Sequence, residues 1–287
     1  TQYRTGNFAK AIRNLQEVSG QDSELGQAAN YYLGEAYLRV GDRPSARASF
    51  GNAKRMNYDL SLAEEANFNY GKLSYELNDP QEAISSFQQI TPTSPYYVEA
   101  QTLMGEMFLS YRNYEQALSI LDGMPNKPPQ LQEAHQKVMV LRGIQLLQSN
   151  RLEEARQLFN RSLQFPIDIR SQALALYWLA DIAHRDGQYN ESIRLNSQFL
   201  TLAKTQTGLP DESSVFTGNY LQGYNYLKQD NYPAALDYFR ATVEGIKRNR
   251  AFISSTAVRD EVLGDAVLRT GDAYFKRNQY NQAIQYY

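Results

Sequence analysis

The chain contains no cysteine in 287 residues. Disulfides and thiolate metal sites are therefore excluded within it, while the compartment stays open, because cytosolic and periplasmic proteins alike can lack the residue. Long hydrophobic runs are missing too. The longest, Ala173 to Ala180, is eight residues, far short of the roughly twenty that span a bilayer as a helix. Neither charge dominates: 29 basic residues stand against 31 acidic ones. That balance argues against a general nucleic-acid surface, which needs a basic excess, although it allows a local patch. There is no Gly-rich phosphate loop with a following Lys, no His pair on one helix and no Gly-x-Ser-x-Gly, so the usual catalytic signatures are absent. The two histidines, His135 and His184, lie far apart without an evident Asp, Ser or metal-ligand context; they read as solvated or partly packed side chains. No leader is visible, and the chain opens inside a repeat, which leaves room for one upstream.

What is abundant is tyrosine, 22 residues against a single Trp, and a short pattern that recurs about seven times. A Gly or Ala is followed twelve residues later by Ala, and four after that by a bulky apolar residue. The copies read Gly34, Ala46, Phe50; Gly71, Ala83, Phe87; Gly105, Ala117, Leu121; Gly143, Ala155, Phe159; Gly223, Ala235, Phe239; and Gly271, Ala283, Tyr287. A degenerate copy, Ala180, Ser192, Asn196, reads as a looser joint, and Ala11 with Leu15 belong to a partial first copy. Recurrence at this period signals stacked supersecondary units.

Each unit reads as two antiparallel helices. Tyr32, Leu33, Ala36, Tyr37 and Val40 recur at helical spacing, the turn Gly41-Asp42-Arg43-Pro44 follows, and Ala46, Ala48, Phe50 and Ala53 begin a second helix. Equivalent turns are Asn78-Asp79-Pro80, Asn150-Arg151, Asp186-Gly187, Asp230-Asn231 and Asn278-Gln279; their residues tolerate the left-handed conformation and cap the next helix. Pro44, Pro80 and Pro233 fall in the first turn of a second helix, where a missing N–H costs nothing. Pro92, Pro95, Pro125, Pro128, Pro129, Pro166 and Pro210 are expected in gaps between units. Successive small residues are 37, 34, 38, 37, 43 and 48 apart. The two long steps predict insertions near 204–214 and 244–256 that lengthen the second helix of their units. The second insertion holds a basic cluster, Lys247, Arg248 and Arg250, which suits a solvated helix end and its dipole.

This pattern resembles the tetratricopeptide repeat, with a small residue in the first helix, an aromatic three residues later (Tyr37, Phe108, Tyr226 and Tyr274), and Ala with an aromatic in the second helix. The resemblance implies an all-α fold, a right-handed α-α superhelix of stacked helix pairs. It covers 1–287 as a single solenoid, part of a longer array, with repeats at about 1–20 (partial), 27–58, 62–95, 96–129, 133–166, 171–207, 214–250 and 257–287 (partial). The variable spacing looks more like bacterial scaffold or envelope-associated members than chaperone adaptors, so either the bacterial cytoplasm or the periplasm and envelope fits.

The resemblance also implies a concave groove lined by the first helices. Family positions carried onto this chain give Tyr31, Glu35 and Arg39; Phe68, Lys72 and Tyr75; Glu106; Tyr177, Asp181 and Arg185; Tyr220, Tyr224 and Lys228; and Asp272 with Phe275. Aromatics among charges of both signs suit a partner peptide or helix. Some of these side chains can instead pack only against neighbouring helices. The terminal-carboxylate clamp of chaperone adaptors needs a Lys and an Asn around the small residue; here those positions hold Tyr31 with Glu35, Phe68 with Lys72, and Thr102 with Glu106. Such a clamp is not expected, and acidic tails are poor candidate ligands. The expected function is a non-catalytic protein–protein interaction scaffold without cofactors, binding no nucleic acid. The alternatives are an architectural or self-associating segment that orients other domains and, far behind, an enzyme.

Overall fold

The computed structural model describes residues 7–110, 113–124 and 126–287. The described residues form α-helices with short 3-10 and π turns, and no strand occurs among them. By internal contacts the chain divides into two compact units, Thr1–Tyr111 and Arg112–Tyr287. The division falls within the third repeat.

The first unit holds α1 (Phe8–Ser19), α2 (Glu24–Arg39), α3 (Arg43–Ala53), α4 (Leu60–Glu76), α5 (Pro80–Gln88) and α6 (Tyr97–Ser110). Each helix packs on its chain neighbour, and α2 also touches α4. The second unit holds α7 (Tyr114–Asp122), α8 (Pro129–Gln148), α9 (Leu152–Ser162), α10 (Ile169–Arg185), α11 (Tyr189–Ala203), α12 (Val215–Leu227), α13 (Tyr232–Asn249), α14 (Leu263–Lys276) and α15 (Tyr280–Ile284). There too, sequential packing is joined by contacts between alternate helices, α8 with α10 and α10 with α12. These are hairpins stacked side by side.

The small-residue pattern has a direct steric cause. A methyl group added at Gly34 would stand 2.7 Å from the Phe50 ring, and at Gly71, 2.7 Å from Phe87. The same construction gives 2.6 Å from Gly143 to Phe159, 2.8 Å from Gly223 to Phe239 and 2.8 Å from Gly271 to Tyr287. Each of these five first helices therefore gives up a side chain so that the edge of the ring sixteen residues on can approach its backbone. Phe50, Phe87, Phe159 and Phe239 are fully buried as a result, and each such ring contributes about 1.5–3 kcal/mol by leaving water.

The turns inside the hairpins share one construction. Gly41, Asn78, Asn150, Gly187, Asp230 and Asn278 all have positive φ, between 56° and 82°. The next N–H then reaches back to a carbonyl near the end of the first helix: Asp42 to Tyr37 at 2.9 Å, Asp79 to Ser74 at 2.8 Å, Arg151 to Leu146 at 2.8 Å, Asn231 to Tyr226 at 2.9 Å. This is the Schellman closure, which satisfies carbonyls that the helix end would orphan. Asp42 and Asn231 then cap the following helix by accepting from the Ser45 and Ala234 N–H groups.

Two sequence expectations need adjustment. Pro129 opens α8 at its first position and does not sit in a gap, because a helix start needs no proline N–H. Pro125 lies outside the described residues. The fifth unit is not loose: Ser192 and Asn196, which replace Ala and the aromatic, are fully buried and hydrogen-bonded. Ser192 donates to the Ala180 carbonyl at 2.7 Å, while Asn196 donates to the Gly218 carbonyl and to Gln222, each at 2.8 Å. The ring of that unit is Phe199, whose edge lies 2.6 Å from the methyl position of Gly218 on the next first helix.

The long helices α11 and α13, 15 and 18 residues, lead into the two insertions. One carries a 3-10 turn, Asp211–Ser213; the other has a 3-10 turn, Arg250–Phe252, and a π-helix, Ala257–Val262. They are tied together by Asp211, whose carboxylate accepts from the N–H groups of Ser254 and Ser255 and from the Ser254 hydroxyl, each at 2.8 Å.

Candidate partner-binding face

The candidate residues fall on the first helices: α2, α4 and α6 in one unit, α10, α12 and α14 in the other. In the first unit Tyr31 and Phe68 are buried. Tyr31 packs edge-on against Phe50, with centroids 5.6 Å apart, and its hydroxyl donates to Glu65 on α4 at 2.8 Å. Burial, and then the carboxylate partner, push its pKa far above the ordinary phenol value. Phe68 stacks on Tyr96 at 4.9 Å. Burial raises Tyr96 to about 12, helped by its own hydrogen bond to Glu65. Lys72 leans over Phe68, 5.2 Å from the ring centroid, and pairs with Glu99 at 2.8 Å. Glu35 is half-buried beside Tyr31, whereas Arg39, Tyr75 and Glu106 are exposed.

The second unit repeats the device. Tyr177 is buried, its ring 5.1 Å from Phe199, and burial raises its pKa while its hydroxyl faces Thr217 on α12. Tyr220 donates to Asp265 on α14 at 2.8 Å, and Tyr224 donates to the same oxygen. Burial works to raise the Asp265 pKa, but the hydrogen bonds from Tyr224 and Tyr220 and the Arg269 charge outweigh it and hold the carboxyl below its usual range. Arg269 also binds Asp272 at 2.6 Å, and Asp272 accepts from Tyr287 at 2.9 Å. Asp181 pairs with Arg185 at 2.8 Å; burial raises its pKa against the pull of that cation. Arg185, Lys228 and Phe275 are exposed.

A rule emerges that the sequence did not disclose. The aromatic hydroxyl three residues before the small residue meets the side chain six residues before the next small residue: Tyr31 with Glu65, Tyr177 with Thr217, Tyr220 with Asp265. Three of the expected groove aromatics, Tyr31, Phe68 and Tyr177, are thus packing and locking elements and not free contact surface. The acceptors Asp265 and Glu65, with Tyr96 and Arg269, are the partners a search for exposed aromatics passes over. Their signal is the recurring acid at that position, Glu65, Glu99 and Asp265.

The histidines also have partners. His135 is buried, its Nε2 2.9 Å from Asp122 Oδ1, and the same carboxylate binds Arg161 at 2.6 Å. Burial lowers the His135 pKa and outweighs the Asp122 charge. His184 Nδ1 lies 2.7 Å from Asn225 Oδ1, and Asn225 donates to Ser192 at 2.8 Å. Among the described residues no cluster of three metal-ligating side chains occurs, and no helix is long and apolar enough to cross a membrane.

Profiles of the tetratricopeptide repeat match residues 1–42 and 33–98, and a second such profile matches 265–287. No curated protein matches the chain. Among solved structures, it is similar to the C-terminal part of a TPR repeat-containing protein from Cytophaga hutchinsonii, at 13% identity and a TM-score of 0.46, over 85% of this chain and 92% of that one. It is also similar to pilF of Pseudomonas aeruginosa, at 17% identity and a TM-score of 0.42, over 83% and 97% of the two chains. A tetratricopeptide repeat protein from Parabacteroides merdae is 18% identical over 92% and 94%, with a TM-score of 0.36.

Proposed function

We propose that the chain, whose residues 1–98 and 265–287 match tetratricopeptide-repeat profiles, is a non-catalytic scaffold of that family that takes a partner's peptide or helix along its first-helix face. The observation that carries this reading is the division of labour on that face. Tyr31, Phe68, Tyr177 and Tyr220 are locked beneath by rings and carboxylates. Along the same run of helices Arg39, Tyr75, Glu106, Arg185, Lys228 and Phe275 stay exposed. A face held rigid before binding loses little conformational freedom when a ligand arrives, and side chains of both signs around aromatics supply orientation and contact area.

Peptide display against the whole chain tests the reading. Arg39→Glu combined with Tyr75→Ala changes exposed side chains and leaves the buried rings in place, so helicity should be unchanged by circular dichroism. Peptides that engage the first unit should bind this variant at least about tenfold more weakly, the scale of losing one well-packed contact and its charge. Equal affinity for every selected peptide, together with equal affinity for the corresponding Arg185→Glu, Phe275→Ala variant, would remove the assignment.

Self-association is a second reading with its own observation. Leu268, Phe275, Tyr280 and Ile284 on α14 and α15 are 47%, 52%, 50% and 71% exposed, a grouping that commonly marks contact surface. Light scattering across a concentration series distinguishes a monomeric receptor from a self-associating one.

A further inference from the structure

The charges on the first helices of the second unit are not balanced among those left free. α10, α12 and α14 lie side by side in the same direction: Tyr177 at the middle of α10 faces Thr217 near the start of α12, Tyr220 at the middle of α12 meets Asp265 near the start of α14, and toward the ends of α10 and α12 His184 meets Asn225. Their C-terminal ends therefore share one edge. Five residues after the small residue, that edge carries Arg185, Lys228 and Lys276, all exposed. Most acids nearby already hold a cation. Asp181 pairs with Arg185, Asp272 with Arg269 and Asp186 with Arg156, whereas Asp230, two residues from Lys228, accepts from the neutral Tyr232 hydroxyl. Arg185 keeps half of its side chain in water, and Lys228 and Lys276 make no ion pair among the described residues. Cations at helix ends also complement the dipole, but the same position elsewhere holds Arg39, Glu76, Ser110 and Gln148, a cation in only one of four. The dipole alone does not call for the row.

From this complementarity we infer that the edge formed by Arg185, Lys228 and Lys276 binds an extended acidic segment of a partner protein. This deepens the scaffold reading and rests on it. Packed helices stand about 8–10 Å apart, and three residues of extended chain cover about 10 Å. The matching ligand therefore carries Asp or Glu at every third residue, one per helix. It is an internal segment and not a chain terminus, so it differs from the terminal-carboxylate ligand that the clamp positions of this chain exclude. Phe275, with Tyr280 edge-on at 5.3 Å, offers an apolar contact beside Lys276.

The test uses a fluorescent peptide with Asp at every third position, acetylated and amidated at its ends, and its Asn counterpart. At low ionic strength the Asp peptide should bind the whole chain at least about tenfold tighter than the Asn peptide, and salt should erase the difference. Lys228→Glu with Lys276→Glu should weaken it by about tenfold or more. Lys247→Glu with Arg248→Glu makes the same charge change on α13 and should leave affinity within about twofold. Equal binding of the two peptides, or equal loss in the α13 variant, would overturn the inference. Failure here, with display-selected peptides still sensitive to the first-helix variants, sinks the acidic ligand alone; insensitivity of every peptide to those variants sinks the scaffold reading as well.

Discussion

At the residue scale, two effects compete at Gly143. Ala is the better helix former by about 1 kcal/mol, yet its methyl would stand 2.6 Å from the Phe159 ring, and overpacking of that kind costs about 1–3 kcal/mol. Gly143→Ala should therefore destabilise the chain by roughly 1 kcal/mol in chemical denaturation. Gly264 is also helical but has nothing within 4 Å of its methyl position, so Gly264→Ala should be neutral or stabilising by up to about 1 kcal/mol. Opposite signs in this pair support the register of rings on small residues; equal signs would refute it. His135 supplies a pH test. Its folded pKa is lowered by burial, so the unfolded chain takes up a proton that the folded chain refuses. The stabilising preference for neutral imidazole is complete above the unfolded value near 6.5 and is lost as pH falls through the folded pKa. Thermal stability should fall on acidification from neutral pH, by at most about 1.4 kcal/mol per pH unit from this group, and His135→Gln should fall less steeply over the same window. Parallel pH profiles would show that the imidazole is not the group responsible.

Helices and their turns were the legible part of the sequence, because the cause of each is local. Asn78, Asn150, Asp230 and Asn278 announce left-handed turns through chemistry confined to a few residues, and Gly34 with Phe50 announces a hairpin through fixed spacing. Asn150→Ala keeps the helix ends but loses the side chain that tolerates positive φ, so it should cost about 1 kcal/mol; Asn150→Gly should cost less, and a reversed order would contradict the turn geometry. The site was less legible, because exposure is decided between helices distant in the chain. Nothing around Tyr31 reveals that Glu65, on the next first helix, will take its hydroxyl, or that Phe50 will cover its ring. Ser192 and Asn196 looked like lost packing for the same reason: their partners, Gly218, Gln222 and Asn225, arrive from α12. The pin from Tyr220 to Asp265 can be weighed by a double-mutant cycle of Tyr220→Phe and Asp265→Asn. A coupling of about 1 kcal/mol is expected for a part-buried bond to a charged acceptor, and additivity would mean that the contact does not hold α12 to α14.

At the scale of the molecule, the stacked hairpins of each unit make stability a sum of local terms and leave a repetitive surface for recognition. In the proposed reading, recognition rests on side chains the stacking leaves exposed: Arg39, Tyr75 and Glu106 in one unit, Arg185, Lys228 and Phe275 in the other. Hydrogen exchange of the chain with and without a display-selected peptide measures this directly. Binding on the first-helix face should add protection in α2, α4 and α6, or in α10, α12 and α14, with α3, α5, α9, α11 and α13 unchanged. Protection confined to those second helices would contradict it.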